Sequence, residues 1–378
     1  MTSHPDRPTW AVIAGGGTAG HVLPGLAIAR VLVERGHDPA TVHFVGAARG
    51  IEAELVPAAG FGITLLPGRG LQRRITLANL GAAWGLVRAV ARAIRLIRVR
   101  RPRVVVSLGG FASAACALAA VLWRVPLVVA DQNARAGAAN RLVGRFATAC
   151  AVPFDETDLP SAVVTGNPVR DEILAVAEQH DRAAARRRLG VDEHKLLVGV
   201  FAGSLGSRRI NDATVGAVER WAGRDDLTVY HVVGARDWES RANPAAGEVD
   251  YRPVRYESRM ELLLAAADLV VCRSGGTTVA ELAVVGVPSV LVPLPIATRD
   301  HQTANAGPLV AAGAAVLVPD DQLDADRLVA EVDQLLPPPG SSARPRLESM
   351  AVAARSLGRP DAAGAVADLV ESAAKVTP

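Results

Sequence analysis

Three glycines with the spacing G-x-G-x-x-G lie near the start of the chain, at Gly15, Gly17 and Gly20. They follow the apolar run AVIA and precede a helix-like pattern that opens with His21. A turn of this kind lets backbone N–H groups at the start of a helix close on a phosphate. The stretch therefore predicts a strand, a loop that faces a phosphate or sugar group, and a helix.

A second glycine turn lies in CRSGGTTVAELA, residues 272–283. The backbone at Gly276 and the hydroxyls of Thr277 and Thr278 are predicted to meet a diphosphate at a helix N-terminus. Glu281 follows in the same helix. Its carboxylate either accepts hydrogen bonds from vicinal hydroxyls of a ribose or sugar, or is a first-turn glutamate that interacts favourably with the helix dipole. The residues alone leave both interpretations open.

A polar cluster comes directly after a predicted buried strand, in ATRDHQTANA, residues 297–306. It contains Asp300, His301, Gln302 and Asn305. Loops at strand ends are where specificity groups tend to be found. The cluster is therefore a candidate element for substrate specificity.

Several cofactor classes lack the residues that they need. A nicotinamide dinucleotide requires an acidic residue at the end of the second strand, and TVHFVGAARG offers none, since Glu52 comes later, inside the next helix. A Walker loop requires a lysine, and the first half of the chain has none. We therefore expect no dinucleotide and no ATP chemistry of the Walker type.

Metal sites are not expected either. The three cysteines lie in separate apolar contexts without CxxC spacing, which argues against a zinc site or a disulfide framework. The only D-x-D motif, Asp324-Ala325-Asp326, opens a predicted helix and is interpreted as an N-cap rather than as a magnesium site. The prediction is a site with no metal and no cofactor.

The elements that must position these residues alternate between apolar runs and helical patterns, which indicates an α/β fold with doubly wound parallel sheets. The alternation of apolar runs and helical patterns starts again after DRAAARRRLG, so the second half is predicted to be another Rossmann-like unit. Ligand is predicted to lie in the crevice between the two units. We predict a first domain over 1–170, a second over 171–344, and a C-terminal helical segment, 345–378, that folds back over the first.

Charge is distributed unevenly in a chain whose net charge is only +3. No acidic residue occurs between Glu54 and Asp131, a span that contains Arg69, Arg73, Arg74, Arg88, Arg92, Arg95, Arg98, Arg100, Arg101, Arg103 and Arg124. Residues 70–86 mix arginine with Leu71, Ile75, Leu77, Leu80 and Trp84, which suits an anionic membrane surface. The alternative is a solvated face on a helix whose core side is Val87, Val90, Ile94 and Ile97.

Other partners and locations fit the sequence less well. Few aromatic residues are interleaved with the arginines, so nucleic acid is not expected. The N-terminal apolar run is too short for a signal peptide, which favours the cytoplasm. The longest uncharged apolar stretch, Phe111 to Trp123, is shorter than the about 20 residues that span a bilayer, and is predicted to be a buried helix.

Four motifs in order, GGGTAGHVLPGLAIA, GNPVR, CRSGGTTVAELA and HQxxNA, resemble those of the MurG family of lipid I N-acetylglucosaminyltransferases. The resemblance spans nearly the whole chain. It implies the GT-B architecture, two Rossmann-like domains with an interdomain cleft. It also implies transfer of N-acetylglucosamine, with inversion, from UDP-N-acetylglucosamine to the 4-hydroxyl of the muramyl sugar of lipid I, which gives lipid II for peptidoglycan. A peripheral location at the cytoplasmic face of the cell membrane follows from the lipid-linked acceptor.

The resemblance also implies roles for individual residues. The corresponding positions here are Thr18, Ala19 and Gly20 near the sugar and diphosphate, Asn133 at the N-acetylglucosamine, Arg170 and Ser204 on the diphosphate side, Glu281 at the ribose, and Gln302 with Asn305 at the sugar. His21 is the candidate base for the acceptor hydroxyl, or alternatively a donor to a phosphate. Helix N-termini and Arg170 would stabilise the departing diphosphate without a metal.

Three motifs depart from the family pattern. The second-domain loop reads AGSLGS, with Leu205 in place of glutamine, and the acceptor-side loop ends in Phe111 instead of tyrosine. Glu257, which the resemblance places among the donor-binding positions, stands where an isoleucine is common in the base pocket. These differences keep two alternatives open. One is a related GT-B glycosyltransferase that acts on another lipid-linked or natural-product acceptor, and the other is a UDP-N-acetylglucosamine 2-epimerase.

Overall fold

The computed structural model describes residues 9–48, 50–67, 78–245, 247–337 and 344–376. The chain divides into two compact units. The first comprises Met1–Arg170 together with Arg359–Pro378, and the second comprises Asp171–Gly358. Each unit contains its own parallel β-sheet.

The sheet of the first unit has seven parallel strands in the order β3-β2-β1-β4-β5-β6-β7. The strands are β1 Ala11–Gly15, β2 Val42–Ala47, β3 Gly62–Leu66, β4 Val104–Gly109, β5 Leu127–Ala130, β6 Ala149–Val152 and β7 Ala162–Val164. Valine, isoleucine and alanine dominate the central strands because both of their faces are covered by helices. The strand order reverses direction between β1 and β4, so the loops after these two strands flank the position where ligands bind in folds of this kind.

Helices cover both faces of this sheet. They are α1 Ala19–Glu34, α2 Glu52–Ala58, α3 Ala78–Arg100, α4 Phe111–Leu122, α5 Ala138–Gly144 and α14 Ala362–Lys375. Alternate residues of β1 enter two separate core clusters: Ile13 packs with α1, α2 and α14, whereas Val12 packs with α3, α4 and α5. The arginine-rich helix α3 therefore belongs to the same face as α4 and α5.

The sheet of the second unit has six parallel strands in the order β10-β9-β8-β11-β12-β13, and the direction reverses between β8 and β11. The strands are β8 Leu196–Phe201, β9 Leu227–Val232, β10 Asp250–Val254, β11 Leu269–Cys272, β12 Ser289–Leu291 and β13 Ala315–Leu317. The helices are α6 Asp171–Gln179, α7 Arg182–Leu189, α8 Arg208–Arg220, α9 Met260–Ala266, α10 Gly276–Val285, α11 His301–Ala311, α12 Ala325–Leu335 and α13 Arg344–Ser356.

The C-terminal segment divides between the two units. Helix α13 belongs to the second unit, and α14 belongs to the first, so the division falls at residue 359 rather than at the predicted 345. Helix α14 packs its Val366 and Val370 into the core cluster with α1, and Arg35, just after α1, forms ion pairs with Asp368 (2.7 Å) and Glu371 (3.0 Å). The two helices separate in this way because the apolar face of each helix packs against the core of a different unit.

Two predictions about the arginine-rich face need correction. Val87 was predicted on the core side of α3, but it is 56% exposed, while Val90, Ile94 and Ile97 do pack into the core. The stretch Phe111 to Trp123 does form helix α4, but it is not fully buried.

No helix in the described ranges is long and apolar enough to cross a membrane. Arg69, Arg73, Arg74, Leu71, Ile75 and Leu77 lie outside the described residues, as do the side chains of Leu80 and Trp84.

Candidate functional site

The loop after β1 carries the first glycine turn. Gly17 has a φ of +94°, and Thr18 is the N-cap of α1, so Thr18, Ala19 and Gly20 form the junction between loop and helix. The N–H of Gly17 donates to both carboxylate oxygens of Glu52 at 3.1 Å. This donor was expected to face a phosphate, and that expectation is wrong for Gly17, because a carboxylate of the protein already accepts from it.

Glu52 is the residue that reasoning from sequence missed. It is the first residue of α2, it is 2% exposed, and its Oε1 also accepts from the N–H of Ala47 at 2.7 Å. A Cβ added at Gly16 or Gly50 would lie 2.0 Å from a carboxylate oxygen of Glu52. A side chain at either position would displace the Glu52 carboxylate, so the two glycines leave the space that this carboxylate occupies. The closely spaced glycines before Glu52 are the signal in the sequence that points to such a pocket.

His21 directly follows this loop, in the first turn of α1. Its Nδ1 is 3.3 Å from the carbonyl oxygen of Gly16 and 3.4 Å from the hydroxyl of Thr18. Its Nε2 faces the loop after β4, since a Cβ added at Gly109 would lie 3.2 Å from it. A Cβ at Gly110 would lie 2.8 Å from the carbonyl oxygen of Gly16, so only glycine allows the two loops to approach so closely. The structure therefore places His21 where the strand order reverses.

A buried polar network connects the loop after β4 to Asn133. Ser107 lies 2.6 Å from the Ser113 hydroxyl and donates to Asn140 Oδ1 at 2.9 Å. Asn140 donates to Asp131 at 2.9 Å, and Asp131 accepts from the backbone N–H of Asn133 at 3.0 Å. Because buried polar groups that are fully paired have little freedom, the network fixes the backbone of Asn133 relative to the loop beside His21.

The corresponding loop in the second unit lies between β11 and α10. Ser274 donates its hydroxyl proton to the backbone carbonyl of Gln302 at 2.8 Å, and the amide of the fully buried Asn305 donates to the carbonyl of Ser274 at 3.1 Å. The side-chain oxygen of Gln302 accepts from the N–H of Leu294 at 2.9 Å. The structure therefore brings the predicted residues Gln302 and Asn305 together with the second glycine turn.

Helix α10 presents the remaining predicted groups of this turn. Gly276 is its first residue, and the partly buried Thr277 and Thr278 follow. No acidic residue lies in the first turn, because Glu281 is the sixth residue of the helix. The helix-dipole interpretation of Glu281 is weakened by this position, since the effect falls off within the first turn. Its half-buried carboxylate lies close enough to Cys272 to help raise the pKa of that thiol, although burial is the main cause.

The loop with Ser204 follows β8, the strand beside β11. Ser204 is exposed, and its carbonyl oxygen accepts from the N–H of Ala235 at 3.1 Å. A Cβ added at Gly206, whose φ is +80°, would lie 2.0 Å from the carbonyl oxygen of Val233. The loop thus packs tightly against the chain that leaves β9, which fixes the position of Ser204.

Two groups of charged and polar residues form hydrogen bonds and an ion pair in this part of the second unit. Arg273 donates to Ser207 at 2.6 Å and forms an ion pair with Asp320 at 2.6 Å. His231 lies between Asn211 (3.0 Å) and Tyr251 (2.9 Å). Burial lowers the pKa of His231 to about 4 and raises the pKa of Tyr251 to about 12, so both are neutral at pH 7.

Glu257, predicted to contact the donor, has its carboxylate engaged within the protein. Its Oε2 accepts from the hydroxyl of Tyr230 at 2.6 Å and its Oε1 from the backbone N–H of Arg259 at 2.8 Å. Despite burial, the hydrogen bonds from Tyr230 and Arg259 lower the pKa of Glu257. The side chain thus anchors the turn before α9, and its contact with the donor stays a prediction.

Two further predicted features lie elsewhere. Asp324 accepts from the N–H of Arg327 at 2.8 Å as the N-cap of α12, and Asp326 pairs with Arg220 at 2.6 Å, which confirms the N-cap interpretation of the D-x-D motif. Among the described side chains, no group of three or more His, Cys, Asp or Glu is placed to hold a metal ion. Arg170 is the last residue of the first unit before α6, and its role stays a prediction.

Comparison with known proteins identifies the class of this site. The glycosyltransferase family 28 N-terminal domain matches residues 11–152, and the family 28 C-terminal domain matches residues 197–363. The UDP-N-acetylglucosamine--N-acetylmuramyl-(pentapeptide) pyrophosphoryl-undecaprenol N-acetylglucosamine transferase of Alkalilimnicola ehrlichii is 43% identical over 361 residues, which cover 94% of this chain and 96% of that protein. The transferase of the same name from Desulforudis audaxviator is 37% identical over 377 residues, covering 96% and 98%.

The structural comparison agrees with the sequence comparison. The crystal structure of Acinetobacter baumannii MurG matches with a TM-score of 0.74 and 27% identity, over 97% of this chain and 100% of that one. The predicted α/β fold of the GT-B type, with two Rossmann-like domains, is thereby confirmed. Because these matches extend over nearly the whole chain, the chain belongs to glycosyltransferase family 28 and, within it, to the MurG family.

Proposed function

We propose that this protein transfers N-acetylglucosamine from UDP-N-acetylglucosamine to the muramyl sugar of lipid I, with lipid II as the product. The observation that carries the proposal is the near-full-length identity, 43% and 37%, to transferases named for this reaction. The placement of His21, Gln302 and Asn305 at the strand ends of their units is consistent with it. The proposed partners are thus the UDP-sugar and an undecaprenyl-linked muramyl peptide, with no nucleic acid.

In the proposed mechanism, His21 takes the proton from the acceptor hydroxyl as that oxygen attacks the anomeric carbon. The bond from this carbon to the UDP oxygen breaks on the opposite side, and the electron pair leaves with UDP. A hydrogen bond from His21 Nδ1–H to the Gly16 carbonyl, 3.3 Å away, would leave Nε2 as the accepting nitrogen. Glu281 accepts hydrogen bonds from the ribose hydroxyls, and the N-terminus of α10 stabilises the developing charge on the diphosphate.

The test of the reaction is an incubation of labelled UDP-N-acetylglucosamine with a short-chain lipid I analogue. We expect a labelled disaccharide-lipid that appears only when the acceptor is present. Free N-acetylmannosamine formed without acceptor would instead indicate a 2-epimerase. Hydrolysis of the donor with no acceptor product would indicate a transferase for another acceptor.

We further propose that the face of α3, α4 and α5 in the first unit binds an anionic membrane, which would make the protein peripheral at the cytoplasmic surface. Leu118 and Leu122 on α4, and Trp123 directly after it, are 39%, 61% and 43% exposed. The guanidinium of Arg98 on α3 lies 5.6 Å from the ring centroid of Trp123. Exposed apolar side chains flanked by arginines match the chemistry of an anionic interface, where each arginine contributes about 1 kcal/mol.

Helix α5 and the residues after it extend the same chemistry. Leu142 and Phe146 are each 51% exposed, and Arg145 lies 4.8 Å from the ring centroid of Phe146. Helix α4 packs against both α3 and α5, so the exposed residues of the three elements belong to one face of the sheet. This face supports membrane binding without any use of the segment before α3.

Vesicle sedimentation tests the membrane proposal. Replacing Leu118, Leu122 and Trp123 together by serine should reduce binding to anionic vesicles and turnover of long-chain lipid I, while a short-chain acceptor is used almost normally. The matched control is Val352→Ser, which removes a side chain that is 61% exposed on α13 of the second unit. Equal loss on both acceptors, or unchanged vesicle binding by the triple variant, would contradict the assignment.

A further inference from the structure

One peptide unit connects Glu52 to His21. The Gly16–Gly17 peptide donates its N–H to the Glu52 carboxylate at 3.1 Å, and its carbonyl oxygen lies 3.3 Å from Nδ1 of His21. A carbonyl oxygen can only accept, so this second hydrogen bond forms only when Nδ1 carries the proton. The carboxylate and the imidazole are therefore at opposite ends of a single polarisable group.

The charge of Glu52 affects the far end of that peptide. A carboxylate at the N–H polarises the peptide and strengthens its carbonyl as an acceptor, an effect that is larger where water is excluded. Glu52 is 2% exposed, and the glycines at 16, 46 and 50 leave room for its carboxylate where a Cβ would collide. The surroundings are thus shaped to hold a carboxylate in this orientation.

The hydroxyl of Thr18 competes for the same imidazole nitrogen. It lies 3.4 Å from Nδ1 and would donate a hydrogen bond to an unprotonated Nδ1. In that arrangement the imidazole proton is on Nε2. The Gly16 carbonyl, as an acceptor, favours the proton on Nδ1, and the Thr18 hydroxyl, as a donor, favours the proton on Nε2. The carboxylate of Glu52 strengthens only the first.

We propose that Glu52 is a positioning residue that sets the tautomer of His21 through the Gly16–Gly17 peptide, keeping the proton on Nδ1 and leaving Nε2 to accept a proton. The significance for catalysis rests on the proposed function, in which His21 is the base. The tautomer itself does not depend on that function. Where a carboxylate contacts the catalytic histidine directly, as in serine proteases, its loss costs about 10⁴-fold in kcat. Since a peptide intervenes here, we expect a smaller loss, roughly 10- to 100-fold.

The experiment is ¹⁵N NMR of the histidine side chains in the full-length protein. The chain has eight histidines, and the signal of His21 is assigned by its absence from H21Q. In the unmodified protein near pH 8, we expect neutral His21 with its proton on Nδ1. A proton on Nε2 in this spectrum would overturn the proposal, and this result needs no variant of Glu52 to fold.

The variant E52Q keeps the size of the side chain and removes its charge. We expect the Nε2–H tautomer of His21 to increase and kcat to fall roughly 10- to 100-fold, while KM for UDP-N-acetylglucosamine changes less than about twofold. The matched control is E54Q, which neutralises an exposed glutamate on the same helix and should change neither. An E52Q protein that folds and keeps both tautomer and rate would overturn the proposal. If neither the unmodified protein nor E52Q transfers N-acetylglucosamine to lipid I, the proposed function is wrong. The tautomer shift of His21 still tests the role of Glu52 in that case.

Discussion

The loop after β1 and the loop after β11 share a glycine-rich turn before a helix, yet they are held by groups of different charge. In the first, the buried carboxylate of Glu52 accepts from the loop backbone. In the second, the neutral Ser274 and Asn305 hold the backbone, and the preceding residue, Arg273, is paired with Asp320. A diphosphate would be repelled by the carboxylate of Glu52, whereas the groups that hold the second loop bring no net negative charge. The comparison indicates that the first loop orients a protein side chain and the second binds the anion.

The largest effect that this comparison predicts is on the chemical step. His21→Ala should lower kcat about 10²- to 10⁴-fold, the range typical for loss of a general base, because no group replaces the proton acceptor. The Kd for UDP should stay within about twofold of the unmodified protein. Steady-state kinetics and calorimetric titration with UDP give the two values. Weaker UDP binding with unchanged kcat would assign the first loop to the diphosphate after all.

Glu281→Ala tests the second region and should act on the donor. Removing a charged hydrogen-bond partner of the ribose is expected to cost about 2–3 kcal/mol, roughly 30- to 200-fold in kcat/KM. UDP affinity should fall as well, whereas circular dichroism should show an unchanged fold. If both UDP affinity and turnover stay normal, Glu281 has no role in donor binding.

A pair of glycine substitutions distinguishes the loops by stability. Gly16→Ala places a Cβ 2.0 Å from Glu52, so we expect a loss of about 3 kcal/mol and a Tm lower by roughly 5–10 °C. Gly275→Ala has an ordinary backbone φ of −64° and its nearest contact at 3.8 Å, so its Tm should change little. Its expected defect is weaker UDP binding, since the Cβ would stand between the loop and a phosphate. Thermal melts and UDP titrations should therefore give opposite rankings.

The smallest expected effect is that of chelation. If the N-terminus of α10 and arginine stabilise the leaving diphosphate, EDTA should change the initial rate less than about twofold. The measurement is the transferase assay with and without EDTA, after dialysis of the protein. Complete loss of activity, restored by Mg²⁺ or Mn²⁺, would show that a cation is needed and that charge at the second loop is insufficient.

The parallel sheets were largely predictable because their strands are continuous apolar runs. Two strands lack such a run and could not be predicted from the sequence pattern. Strand β6 reads ACAV, and the alanines give little strand preference, so its pairing with β5 and β7 determines its conformation. Strand β10 reads DYRPV, and Pro253 argues against a strand; it is tolerated because β10 lies at the edge of the sheet.

The candidate site was predictable only in part. A sequence motif indicates the chemistry of its own residues, but it does not indicate which side chains from other elements pack against it. Gln302 and Asn305 were predicted together because they share one motif, and the structure places both beside the second glycine turn. Their contact with a sugar stays a prediction. Glu52 was excluded as a ribose ligand, but its approach to Gly17 depends on how α2 packs, which no spacing in the sequence specifies. Glu257 was predicted to face the donor, and its engagement with Tyr230 became visible only when β9 was placed beside the turn before α9.

The return of α14 to the first unit has a consequence for synthesis of the chain. The apolar face of α14 completes the core that contains α1, so this core lacks Val366 and Val370 until the segment after residue 358 is made. The second unit, Asp171–Gly358, is continuous and is translated in between. At about 5–20 residues per second, the ribosome spends roughly 10–40 s on it. During that interval the apolar surface that α14 covers is exposed in the first unit. We therefore expect this unit to complete its folding only after α14 has been made, and a truncation before Ala362 would leave the surface exposed.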